Sequence, residues 1–165
     1  LLATVHNLEL LKEDHHRTEE INRVVAEIVS RYDSYTTAFA VSDNMLANTE
    51  LNQEYQETLI KTKRTANEAL DIIATAYGEI THKVLQKRPE IQAFYTTGAE
   101  FTVAVCRELK SMGIRILGQV LPLTCYGEMI DGEYRGLKCV ASASSATDTN
   151  TITDSLQYLK RKLVI

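Results

Sequence analysis

Residues 1–77 contain neither glycine nor proline, although the chain has seven glycines and two prolines. The first glycine is Gly78, and the prolines are Pro89 and Pro122. Because these two residue types are the strongest breakers of helices, their absence predicts long helices in the N-terminal half. Apolar residues spaced by threes and fours support this in two stripes, namely Leu8, Leu11, His15, Thr18, Ile21, Val25, Ile28 and Tyr32, and Tyr55, Leu59, Thr62, Ala66, Ile73, Tyr77, Ile80 and Val84.

The ends of these helices follow from local signals. Two alternatives are open for the first helix, which either ends near residue 33 and is followed by a short helix, or continues to about 47. Pro89 ends the second long helix, because it disfavours helical angles at the preceding residue. Thr97 and Glu100 form a capping-box pattern that predicts a third helix over roughly 98–117.

The local sequence signals change after Pro122. The Asp131-Gly132 pair between short mixed runs indicates a β-hairpin, with a further helix as the alternative. Residues 141–151 are typical of a small-residue linker, and a last amphipathic helix is predicted from about 152. The predicted fold is therefore mainly α: an antiparallel helical bundle with long N-terminal helices and one short β-hairpin or irregular excursion near 122–140. We expect one domain over 1–165, with a long-helix half over 1–88 and a second half over 98–165.

The composition narrows the possible partners. Hydrophobic residues make up 44% and charged residues 24% of the chain, which is ordinary for a soluble globular protein. The net charge of −4 argues against nucleic acid as a partner. No stretch reaches the ~18 uncharged apolar residues that a membrane span needs. The three cysteines match no zinc spacing, and a bridge between Cys125 and Cys139 stays open, as does the cellular compartment.

The stretch EDHHRTEE, residues 13–20, is the strongest candidate for a metal site. It holds one Glu-x-x-His unit, Glu13 with His16, and Glu79 with His82 forms a second, a pattern that resembles carboxylate-bridged di-iron bundles. The ligands of those bundles point inward. Here both units, and Glu20 with them, are predicted to lie on the side of their helix opposite to the apolar stripe. We therefore predict a solvated helix face and no metal.

The sequence LQKRPEI is followed, 17 residues after its proline, by CREL. This resembles the phycobiliprotein pattern, in which a similar turn precedes the cysteine that carries a bilin. The resemblance implies that Cys106 would hold a linear tetrapyrrole, with Arg107 or Glu108 near it. The arginine is adjacent to the cysteine rather than one residue further on, and the match covers about 25 residues. The predicted function therefore does not build on it, and no cofactor is predicted.

The eight tyrosines suggest contact surfaces, since a tyrosine ring buries area while its hydroxyl finds a partner. We predict a non-catalytic helical structural or interaction protein, an assembly subunit that packs long, coiled-coil-like helices against itself or another chain. Tyr32, Tyr35, Tyr55 and Tyr77 are its candidate interaction residues. The alternative is a helical sensor or ligand-binding bundle, with His15 and Cys106 as candidate ligand-binding residues. No catalytic motif is present, so an enzyme is not predicted.

Overall fold

The computed structural model describes residues 1–43, 49–143 and 150–163. The chain divides into two compact units, Leu1–Arg88 and Pro89–Ile165. The predicted antiparallel helical bundle is wrong, because the described residues form six strands in two sheets beside six helices. That residues 1–165 form one domain stays a prediction.

The first unit is built around a β-α-β arrangement. Its elements are β1 (Leu2–Val5), α1 (Asn7–Leu11), α2 (Asp14–Arg31), a 3-10 turn (Tyr32–Ser34), β2 (Phe39–Ser42), α3 (Thr49–Thr62) and α4 (Ala66–Lys87). The two strands are parallel, with Leu2 opposite Phe39 and Val5 opposite Ser42. Since parallel strands need a crossover, α1 and α2 supply it, and both strands end at the same edge.

Each of the two predicted long helices is divided in the structure, the first into α1 and α2 and the second into α3 and α4, although neither break contains a glycine or a proline. α2 buries Ile21, Val24, Val25 and Ile28, and it packs against α4. A capping box starts α4: the Glu68 amide donates to Thr65 Oγ1 at 3.2 Å, and the Thr65 amide donates to Glu68 Oε2 at 2.7 Å. The helix ends at Lys87, before Pro89.

The second unit is a four-stranded mixed sheet with helices. Its elements are β3 (Ala93–Thr97), α5 (Ala99–Glu108), β4 (Ile114–Leu121), β5 (Thr124–Met129), β6 (Lys138–Ser142) and α6 (Thr151–Leu163). The strand order is β3-β6-β5-β4, in which β3 and β6 are parallel and the other pairs antiparallel. Tyr126 and Val140 pack with Leu159 of α6, while α5 contacts β3 and β6.

Two predictions for this unit need correction. The third helix was expected to reach 117 but ends at Glu108, where Lys110 takes a left-handed φ of 54° and Gly113 follows. The apolar run Ile114–Leu121 is strand β4. The hairpin predicted at Asp131-Gly132 is present as β5 and β6, but it forms the middle of the four-stranded sheet rather than an excursion from a helical bundle. Residues 144–149 of the predicted linker lie outside the described residues.

The turn at Asp131 is held by side-chain bonds. Asp131 Oδ1 accepts the Ser111 hydroxyl at 2.7 Å and the Met112 amide at 2.9 Å. These bonds hold the pKa of Asp131 below its ordinary value. The carboxylate thus ties the α5–β4 connection to the β5–β6 connection. Within the described ranges, no helix is both long and apolar enough to cross a membrane.

Candidate functional site

The parallel strands β3 and β6 end together and define the candidate site of the second unit. Their register pairs Thr96 with Ala141 and Thr97 with Ser142. In open sheets with parallel strands, ligands bind outside the carboxyl ends of the strands. The chain leaves β3 directly into α5 at this edge, so a helix N-terminus and two strand ends converge there.

Gly98 makes this sharp turn possible. Its φ is 91°, a left-handed angle that residues with a Cβ rarely adopt. Its amide donates to the Ser142 carbonyl at 2.9 Å, which fixes the end of β3 against the end of β6. A Cβ at this position would lie 3.2 Å from Cδ2 of Phe101. A glycine is therefore required by both the backbone angle and the space.

Hydroxyl groups line the same edge. Thr96 Oγ1 and Thr102 Oγ1 lie 2.8 Å apart, and the Thr102 hydroxyl also donates to the Gly98 carbonyl at 3.0 Å. At the end of β6, the buried hydroxyls of Thr124 and Ser142 lie 3.0 Å apart. These bonds stiffen the turn, so the backbone at the edge is held in one geometry before any ligand arrives.

The start of α5 has no side-chain cap. The first amides of a helix have no partner within the helix, and together with the helix dipole they form a site that favours anions. Glu100 lies exposed in this first turn. A carboxylate there disfavours a bare anion and favours one that carries a divalent cation. The arrangement of strand, glycine and uncapped helix is thus suited to binding a phosphate group with its metal ion.

The tyrosines predicted as interaction residues lie in several places. Tyr32 and Tyr35 follow the end of α2, where the Arg88 guanidinium lies 5.3 Å from the Tyr32 ring centre and Arg31 lies 5.9 Å from the Tyr35 ring centre. Tyr55 is half-buried on α3. Tyr77 is half-buried on α4, and burial raises the pKa of its hydroxyl far above the ordinary value. Their role between chains stays a prediction.

The residues predicted to bind a ligand lie in different units. His15 is exposed on α2, with Nδ1 3.6 Å from Glu13 Oε2. Cys106 is half-buried on α5, and burial raises the pKa of its thiol. Cys125 and Cys139 are free thiols, and burial raises the pKa of Cys139 to about 12. A ligand at His15 or Cys106 stays a prediction.

Sequence reasoning missed residues in both units. Glu20 was placed on the solvated face of α2, but it is buried, with its carboxylate against the His6 amide and the Arg23 guanidinium. The reason is the unpredicted strand β1, which runs along that side of α2. Gly98 was also missed, although the β-prone run AFYTT before a glycine and a helix was a usable signal.

Comparisons with known proteins show the family to which the chain belongs. The family described as the nucleotide-binding C-terminal domain matches residues 2–143, and the chain belongs to this family. A curated relative is a D-erythronate kinase from Heliobacterium modesticaldum, 26% identical over 167 residues. That match covers 97% of this chain and 36% of the kinase, so the chain spans about a third of the length of this relative.

Solved structures support the fold. A domain of unknown function, DUF1537, from Bordetella bronchiseptica, crystallised with citrate as a domain-swapped dimer, gives a TM-score of 0.63 at 18% identity, covering 97% of this chain and 32% of that one. A Haemophilus influenzae protein of the same family gives a TM-score of 0.66 at 13% identity, covering 94% and 34%. At these identities the likeness concerns the fold alone.

These findings correct the predicted function. A non-catalytic helical structural protein is wrong, because the chain belongs to a nucleotide-binding family and has an α/β fold. The alternative, a helical sensor or ligand-binding bundle, is wrong as well, because the fold contains two sheets and is not a helical bundle. The prediction that no enzyme is involved is contradicted by the family and by the kinase relative.

Proposed function

We propose that this chain is the nucleotide-binding part of a kinase that phosphorylates a hydroxyl group of a small sugar-derived acid. The single observation that carries the proposal is the turn at Gly98, where α5 starts without a side-chain cap at the shared carboxyl edge of β3 and β6. The family description and the D-erythronate kinase relative support the ligand and the reaction class.

The chemistry of the edge fits the phosphates of a nucleotide. Backbone amides bind phosphate oxygens without adding a full charge, and the rigid Gly98 turn lets the backbone approach closely. Glu100 supplies an exposed carboxylate for the divalent cation that accompanies a nucleoside triphosphate. In the proposed reaction a substrate hydroxyl oxygen bonds to the terminal phosphorus and the bond from that phosphorus to the bridging oxygen breaks. The nucleoside diphosphate leaves, and the hydroxyl proton passes to water.

The test is the affinity of the full chain for magnesium ATP, measured by calorimetry, in three proteins. Gly98→Ala forces a Cβ onto a φ of 91° and toward Phe101, so we expect a loss of roughly tenfold or more in affinity. Gly136→Ala is the matched control, since its φ of 86° is equally left-handed but a Cβ there meets no atom within 4 Å. We expect its affinity to stay at the wild-type value.

The outcomes separate the site from the fold. Equal losses in both variants would assign the effect to backbone strain in general and contradict the site at Gly98. No binding of magnesium ATP by the folded wild-type chain would overturn the proposed function itself.

Self-association is a second part of the proposal. The Bordetella bronchiseptica structure is a domain-swapped dimer, and the sequence predicts that this chain contacts itself or another protein. Exposed apolar side chains in the second unit provide surface for such a contact, among them Met112, Ile116 and Leu123. Light scattering over a wide concentration range tests this, and a monomer at every concentration would contradict it. The absence of a nucleic-acid partner stays a prediction.

A further inference from the structure

A second carboxyl edge, in the first unit, holds a compact polar cluster. Strands β1 and β2 end at Val5 and Ser42, so the residues that follow them meet at one edge. The first amides of α1 are bonded there by two carboxylates from other elements. The His6 amide donates to Glu20 Oε1 at 2.7 Å, and the Asn7 amide donates to Asp43 Oδ1 at 3.3 Å.

The two carboxylates differ in how their charge is compensated. Arg23 donates two hydrogen bonds to Glu20, each 2.7 Å long. Among the described residues, the basic group paired with Asp43 is the His6 imidazole, whose Nδ1 lies 3.5 Å from Oδ2 and which is charged only when protonated. That side chain is 52% exposed, whereas the Asp43 side chain is 10% exposed. Residues 44–48 are Asn-Met-Leu-Ala-Asn and add no positive charge.

A carboxylate that is removed from water without a full counter-charge is costly. Glu20, whose charge Arg23 compensates, lies in the same region and adds no positive potential. The bond from the Asn7 amide compensates part of this cost. Because the rest of this cost is not compensated, a small cation bound to the Asp43 carboxylate would be stabilised.

Asn7 provides an independent observation. The residue is 5% exposed, and its Nδ2 donates to Ser42 Oγ at 2.7 Å. Its Oδ1 is buried and accepts no hydrogen bond from any residue the structure describes. A buried acceptor without a donor calls for a bound ion or water. Because Asn7 bonds to both Ser42 and Asp43, this oxygen lies in the same cluster as the incompletely compensated carboxylate.

We propose that Asp43 and the amide oxygen of Asn7 bind a hard divalent cation of the magnesium class. Magnesium uses one or two carboxylate or amide oxygens and keeps several of its waters. A closed site of the zinc type is not formed by the described residues, which contain no convergent group of three histidine, cysteine or acidic side chains. The site belongs to the first unit and does not depend on nucleotide binding.

The test uses manganese ions alone on the isotope-labelled full chain, without nucleotide. Manganese replaces magnesium and broadens the resonances of nearby nuclei, so we expect saturable broadening centred on the amides of His6, Asn7 and Asp43, reversed by excess magnesium. Asp43→Asn is expected to lower the manganese affinity by roughly tenfold or more. Asp14→Asn is the matched control, because Asp14 is a 95% exposed carboxylate of the same unit, and it should leave the affinity unchanged.

A third variant covers the case in which Asp43→Asn fails to fold. Asn7→Asp adds a carboxylate beside Asp43 and is expected to raise the manganese affinity. Broadening that is unsaturable, that is spread over exposed carboxylates, or that persists in a folded Asp43→Asn chain would overturn the site. Since no nucleotide is present, a failure here leaves the nucleotide proposal at Gly98 unaffected, and the reverse holds as well.

Discussion

The two parallel strand pairs of this protein end in opposite ways. At the end of β1 and β2, carboxylates occupy the first amides of the following helix, through Glu20 and Asp43. At the end of β3 and β6, the cap position of the helix is Gly98, which has no side chain to occupy those amides. The same local geometry therefore gives one edge rich in carboxylate oxygen atoms and one edge where we propose that a phosphate binds. The helix dipole is common to both, so the residues placed around it decide which charge is bound.

The largest loss of stability is expected when Glu20, at the carboxyl end of β1 and β2, loses its counter-charge. Arg23→Ala leaves the buried Glu20 carboxylate without its guanidinium, and we expect a loss of about 3 kcal/mol in the free energy of unfolding. Urea unfolding measures it. Arg31→Ala is the control, since Arg31 pairs with Glu27 at an exposed position and should cost about 0.5 kcal/mol or less. Similar losses in the two variants would contradict a special role for the bonds from Arg23 to the buried Glu20.

A smaller loss of stability is expected at the carboxyl end of β3 and β6, where hydroxyl groups lie instead of carboxylates. Thr124→Val removes the buried bond to Ser142 and leaves that hydroxyl with a weaker contact, the Ala143 carbonyl at 3.4 Å. We expect a loss of about 1 kcal/mol in the free energy of unfolding. The double variant Thr124→Val, Ser142→Ala should recover part of it, because both polar groups are then absent. A double variant less stable than the sum of the singles would refute this account.

The smallest effect is a change in pH dependence. Burial raises the pKa of Glu20, but the bonds from Arg23 and the His6 amide outweigh it and hold the pKa below its ordinary value. A pKa lowered in the folded state contributes stability above the unfolded value near 4.5, and this contribution is lost as the pH falls through the folded value. Glu20→Gln should therefore flatten the acid limb of stability measured by urea unfolding. An unchanged slope below that value would contradict the assignment.

The sequence predicted the long helices better than the sheets. Helices α2 and α4 repeat an apolar face over many turns, and Pro89 marks the end of α4. Strand β1 has four residues, too few to establish a period of two, and it is paired with a segment that starts 37 residues later, at Phe39. Such a pairing is set by tertiary contacts that no local window contains.

The candidate site was not predicted, because the local sequence signals there also fit more than one structure. Thr97 and Glu100 have the spacing of a capping box, yet Thr97 ends a strand and Gly98 occupies the cap position. The true capping box, Thr65 with Glu68, lay at the start of α4. Glu20 looked solvated because its helix was considered alone, whereas the approach of β1 buries it. Local spacing thus recognised the chemistry of a cap but not its place in the fold.

The strand order of the second unit has a consequence for biosynthesis. β3 pairs with β6, but β4 and β5 are synthesised between them. Ala93 therefore has no strand partner until Lys138 has been added. While the ribosome adds these residues, β3 exposes its unpaired amides and carbonyls, and non-local pairing of this kind slows folding. The antiparallel ladder of β4 and β5 forms earlier. Closure of the sheet by β6 is therefore the step at which the shared carboxyl edge of β3 and β6 is created, and a chain released before residue 138 lacks this edge.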